Sequence, residues 1–135
     1  MEPALTPFLG LFVGGLVVAL VAIGWIVAKD KPIGSPALAA MLCAGFAAFT
    51  AVTIAVEGVV PVIVNHTGNL WGVQVWLDLL ISLTIALFLI APRARAAGMN
   101  LPLWTLFVVA TASIGLLAMC ARLFWIERAG AETAA

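Results

Sequence analysis

The sequence predicts an all-α integral membrane protein: a single domain over residues 1–135, built as an antiparallel bundle of four transmembrane helices. Three observations lead there. The composition is 65% hydrophobic and only 9% charged, with a mean hydropathy of +1.25, against roughly 25% charged residues in a soluble domain. A chain of 135 residues cannot enclose that much apolar surface in one water-soluble core. Four apolar runs reach the length of about 18 residues that a membrane crossing needs. Finally, the tryptophans and the basic residues gather at the ends of those runs.

The first span is read over residues 8–28, uninterrupted by any charge. A secretory leader is the alternative for this segment, but a leader has a basic n-region and a shorter apolar stretch. Here the opening MEPALTP is acidic, so the segment is expected to be a retained span. The second span covers residues 37–60. Its apolar character continues past Glu57 to Val64, and Pro61 in that extension predicts a kinked or broken end. The third covers residues 72–90, closed by Pro92, and the fourth residues 103–126, broken only by Arg122. Thr6-Pro7, Ser35-Pro36 and the Asn100/Pro102 pair each set a capping side chain just before a proline at a helix start.

Orientation follows from the basic residues of the short loops, which favour the cytoplasm. Lys29 and Lys31 separate spans one and two, and Arg93 and Arg95 separate spans three and four. In a four-span chain both loops share one side. Both termini are therefore expected on the outer (periplasmic) side of a bacterial inner membrane, with Arg122 and Arg128 offsetting part of the bias. Trp25, Trp71, Trp76, Trp104 and Trp125 all lie near span ends, where amphipathic rings sit at the headgroup level.

Inside lipid, helices associate through close backbone approach and polar contacts, since lipid tails are as apolar as leucine. Gly10 and Gly14 form a GxxxG pair in the first span, and Ala40, Ala44 and Ala48 repeat the spacing in the second. These rows are read as helix-packing surfaces, toward each other or toward a partner.

The residues that carry chemistry are few. Gln74, Asp78 and Ser82 fall at i, i+4 and i+8, so they make one stripe on the third helix. A charge deep in a span costs on the order of 3 kcal/mol, so such a stripe should face protein and not lipid. In the four-span arrangement Asp78 lies roughly 9 Å below the outer end of its helix, at 1.5 Å per residue. Arg122 lies at a similar depth, Glu57 in the outer part of the second helix, and His66 in the outer loop that follows. These residues are expected to converge in one polar cluster. It is either a buried Asp78–Arg122 pair that sets helix register, or an ion or ligand site. A third arrangement has both side chains reaching to the interface.

The remaining signals are weak. His66, in VNHTG, reads as a solvated loop residue, and Asn65-His66-Thr67 matches a glycosylation sequon only formally in a bacterial chain. A single histidine makes an all-protein transition-metal site improbable. No cofactor is indicated, with lipid or pigment contact left open. Cys43 and Cys120 form no redox or zinc motif and are read toward opposite membrane faces. Six basic and six acidic residues give zero formal charge, so there is no nucleic-acid footprint.

The segments WLDLLIS (76–82), RARAAGM (93–99) and Gly115 onward to Glu127-Arg128 resemble a family of small bacterial membrane proteins, the domain-of-unknown-function 2834 family. The resemblance spans residues 76–128, under half of the chain. It implies three spans, with the first helix here an extension. The family's last helix is apolar where Arg122 sits, so an Asp–Arg pair is not implied, and no activity is carried over.

Three functions fit these residues. The first is an accessory or assembly subunit, not an enzyme, that packs on a larger membrane complex; its partners are lipids and other subunits or further copies of itself. The second is a small oligomeric proton- or ion-coupled transporter or channel using Asp78 and Glu57, since four spans are too few for a self-contained transport path. The third is a membrane enzyme acting on a lipid or isoprenoid.

Overall fold

A computed structural model describes residues 8–30 and 33–135. Lys31 and the Thr6-Pro7 signal lie outside the described residues. The described chain is all-α, with three helices long and apolar enough to cross a membrane: Leu9–Ala28, Pro36–Glu57 and Leu70–Ala96. It divides into two compact units, one ending at Pro32 and one running from Ile33 to Ala135.

The first unit carries α1 (Leu9–Ala28), 20 residues without a charge. At 1.5 Å per residue it is roughly 30 Å long, the thickness of a hydrocarbon core. The Lys29 amide donates to the Trp25 carbonyl at 3.0 Å, and the Lys29 ammonium lies 5.4 Å from the Trp25 ring centroid. Gly10 and Gly14 lie on this helix, and an added methyl at either would meet open space.

The second unit begins with α2 (Pro36–Glu57). Ser35 caps it by accepting from the Leu38 amide at 3.2 Å, and Pro36 occupies the first turn, where no amide donor is required. The helix stops at Gly58, whose φ of 79° suits a residue without Cβ. Pro61 explains the stop, because its ring would clash with the carbonyl four residues back, at Glu57. It sits instead in the first turn of a short helix, α3 (Val60–Thr67).

α3 folds back on the start of α4 (Leu70–Ala96), which Asn69 caps by accepting from the Gly72 amide at 2.8 Å. The approach is so close that a Cβ at Gly72 would collide with the Asn65 carbonyl. His66 is therefore not a solvated loop residue. It belongs to α3, half-buried, with its ring 5.4 Å from that of Trp76 and its Nδ1 2.6 Å from the Val62 carbonyl oxygen.

Pro92 does not close α4 as expected. The helix runs through it to Ala96, because proline forfeits only the one bond to the carbonyl of Phe88, and the following turn is anchored by Ala94, which is fully buried. Gly98, at φ 70°, ends the helix, and the Met99 amide donates back to the Ala94 carbonyl at 3.0 Å.

The fourth apolar run departs most from expectation. It is not one span but two helices, α5 (Leu101–Thr111) and α6 (Ser113–Ala134), separated by Ala112 at φ 51° and ψ −119°. Ala112 is the one non-glycine residue with positive φ among the described residues. The chain reverses there. Gly115 comes so close to α5 that a Cβ would sit 2.7 Å from the Phe107 carbonyl oxygen and 2.8 Å from the Val108 Cα. In a continuous helix residues seven or eight apart would be roughly 10–12 Å apart along the axis. The described residues thus form three helices long and apolar enough to cross a membrane, the short α3, and an α5–α6 hairpin.

That hairpin organises the core. Ile90 and Ala94 of α4 meet Val108 of α5 and Met119 and Leu123 of α6, the last two fully buried, with Trp104, Leu116 and Phe124 packed around them. α2 lies along α6 in the opposite direction. Gly34 sits against the ring of Phe124, and the Cys43 thiol donates to the Ile114 carbonyl at 3.4 Å. The row of α2 turned to α6 runs through Ala39 and Cys43, while Ala40, Ala44 and Ala48 are exposed. One residue of offset rotates a helix position by about 100°, which separates the two rows.

Candidate functional site

Gln74, Asp78 and Ser82 do form one row on α4, and all three are exposed. Asp78 and Arg122 do not meet. Asp78 lies twelve residues along α4 from Ile90, roughly 18 Å at 1.5 Å per residue. Arg122 adjoins Leu123, which packs in the same cluster as Ile90. The reversal at Ala112 is the reason. It carries α6 back toward the C-terminal end of α4 and away from the end that holds Asp78. Arg122 is exposed, with its guanidinium carbon 4.8 Å from the centroid of the Trp125 ring.

The remaining residues sort by the ends of the unit. Glu57 closes α2 and is exposed; His66 is on α3; Gln74 and Asp78 are in the first third of α4. These four share the end opposite Arg122. A shallow hollow of about 570 Å³ opens there beside His66, lined by Asn65, Asn69, Trp71 and Gly72 among others. Asp78 is not part of its wall. Among the described residues no three His, Cys, Asp or Glu side chains come together as a metal-binding set.

The one ion pair among the described residues was not expected from the sequence. Arg93, near the end of α4, donates from Nε to Glu127 Oε1 at 2.8 Å and from Nη2 to Oε2 at 2.6 Å. This is the bidentate geometry that suits a planar guanidinium to a carboxylate. The Arg93 guanidinium also lies 5.6 Å from the Phe124 ring centroid. Arg93 and Glu127 are 34 residues apart, so no helical or turn spacing announces the pair. The signal that would have found it is the small and polar segment Ala110-Thr-Ala-Ser-Ile-Gly115 in the middle of the fourth apolar run, a turn composition.

The cysteines also move. Cys43 lies level with Ile114, and Cys120 is six residues further along α6, so both thiols belong to the same half of the unit and not to opposite faces. Both are free.

Compared with protein-family models, curated proteins and solved structures, the chain matches none.

Proposed function

We propose that this chain is an accessory or assembly subunit of the bacterial cytoplasmic membrane that packs against a larger membrane complex. The observation that carries the proposal is the exposed Gln74–Asp78–Ser82 row on α4, one of the three span-forming helices. A carboxylate facing hydrocarbon costs on the order of 3 kcal/mol, and nothing on α2 to α6 pairs with it among the described residues. α1 offers no remedy from its own composition, since its only side-chain polar group is the Trp25 indole. A protein surface with a hydrogen-bond donor or a cation at that depth satisfies Asp78. The exposed large side chains next to it on α4, Leu77 and Ile81 among them, supply an apolar margin.

The test places a photo-crosslinking residue at Ser82 in otherwise native protein, with one at Phe88 for comparison. A stoichiometric crosslink at position 82 to a different polypeptide, lost when Asp78→Asn is added while the purified variant stays folded, is the expected result. Crosslinks from position 82 only to lipid or to a second copy sink the subunit reading. If Asp78→Asn instead abolishes pH-coupled uptake by a homo-oligomer, the transporter reading replaces it.

A further inference from the structure

The helices of the second unit share a common depth scale. Gly34 is level with Phe124 and Cys43 with Ile114, so α2 and α6 run antiparallel in step. Ile90 and Ala94 join the same layer through Met119 and Leu123. From Glu127 back to Ala112 the chain rises roughly 22 Å at 1.5 Å per residue, short of a hydrocarbon core of about 30 Å. α5, with 11 residues, is too short to cross. The Arg93–Glu127 pair closes the base of the hairpin. Had α5 and α6 together made a crossing, those two residues would lie a membrane thickness apart.

We propose that α5 and α6 form a re-entrant hairpin that enters and leaves on the Arg93 side, and that the base of this hairpin docks anionic phospholipid headgroups. The charges of the unit support both halves of the statement. All four of its arginines, Arg93, Arg95, Arg122 and Arg128, then fall at one end with Glu127 and Glu132, a net of +2. Glu57 and Asp78 hold the other end, a net of −2. The two arginines that offset the positive-inside bias in a four-span chain no longer do so. Non-helical backbone at membrane depth requires protein cover. The Ala112 turn has it, with its amide bonded to the Val108 carbonyl at 2.7 Å and its carbonyl to the Leu116 amide at 3.1 Å.

Headgroup chemistry follows from what these arginines lack. Arg93 is engaged by Glu127, whereas Arg95, Arg122 and Arg128 have no carboxylate partner among the described residues. Arg95 stands between two open hollows of about 540 and 550 Å³. One is walled by Leu87, Phe88 and Pro92, the other by Met99, Leu101 and Asn100. A guanidinium above apolar walls matches a lipid phosphate above its acyl chains. Trp104 stands in the first turn of α5 and Trp125 two residues before Glu127, both in the half of the hairpin nearer its base, where an interfacial ring sits.

Topology is read by single cysteines in full-length protein lacking Cys43 and Cys120, using a membrane-impermeant maleimide on intact cells. Leu70→Cys is expected to react from outside, and Ala96→Cys and Ala131→Cys only after permeabilisation. Reaction of Ala131→Cys from outside alongside Leu70→Cys overturns the hairpin. Lipid docking is read by native mass spectrometry of delipidated protein titrated with phosphatidylglycerol or phosphatidylcholine. Wild type should retain phosphatidylglycerol preferentially. The Arg95→Gln/Arg128→Gln double variant should lose about 25-fold in that retention, about five-fold per arginine or about 1 kcal/mol each. Equal retention of the two lipids by wild type, or undiminished phosphatidylglycerol binding by the variant, overturns headgroup docking, as does a soluble protein partner that competes equally with either lipid.

Discussion

Replacing Gly115 by alanine tests the hairpin at its tightest point. The added Cβ would lie 2.7 Å from the Phe107 carbonyl oxygen, 2.7 Å from Thr111 Oγ1 and 2.8 Å from the Val108 Cα. Ordinary contact begins near 3.4 Å, so α5 and α6 must separate by several tenths of an ångström. Two of the three atoms are backbone, and Thr111 is itself held by donating its hydroxyl to the Phe107 carbonyl at 2.8 Å. No side-chain rotation relieves the clash. Overpacking of this kind costs about 1–3 kcal/mol. Alanine's better helix propensity returns about 1 kcal/mol, leaving a net loss of up to about 2 kcal/mol. Gly130→Ala is the control. It lies on the same helix with nothing within 4 Å, so propensity acts alone and the variant should gain up to about 1 kcal/mol. Both are measured by reversible unfolding in mixed micelles, following tryptophan fluorescence. Opposite signs are expected. If Gly115→Ala is as stable as Gly130→Ala, residues 107 and 115 are not in contact and α5 continues into α6 as one helix.

Other expectations follow from the same contacts. In a double-mutant cycle, Arg93→Gln and Glu127→Gln should each destabilise, with a coupling of about 1 kcal/mol; the pair is 43% and 21% exposed, so solvent screens it below the strength of a buried pair. Additive losses would show that the two side chains do not interact. Leu123→Ala, at a fully buried position where α4, α5 and α6 meet, should lower stability by about 2–5 kcal/mol in the same assay; a loss under 1 kcal/mol would mean lipid and not protein surrounds it. Asn69→Ala removes the acceptor for the Gly72 amide and should cost about 1 kcal/mol, with Asn69→Asp restoring most of it. Failure of Asp to rescue would assign Asn69 a role other than capping.

Local signals in the sequence were sufficient wherever a feature depends on neighbours a turn apart. Ser35 and Asn100 cap the helices they precede, and the break near Pro61 falls at Gly58. The Gln74–Asp78–Ser82 stripe is likewise a matter of spacing alone. What the stripe faces is not. Placing Arg122 opposite Asp78 assumed that the largely apolar run 103–126 makes one crossing, whereas the small residues around Ala112 allow a reversal. Lipid rewards apolar side chains in a hairpin as well as in a straight helix, so hydropathy cannot tell the two apart.

The sequence by itself therefore determined the solvent of this protein and its helices: which segments are apolar, where three long helices start, and that a carboxylate stands within one of them. Only the tertiary structure decided the path of the last 35 residues, the row of α2 that meets α6, and the partner of Arg93. The physical reason is contact range. Helix formation and capping are settled within four residues, but the hairpin rests on Gly115 against Phe107 and on Arg93 against Glu127. Neither contact leaves a periodic trace in the chain.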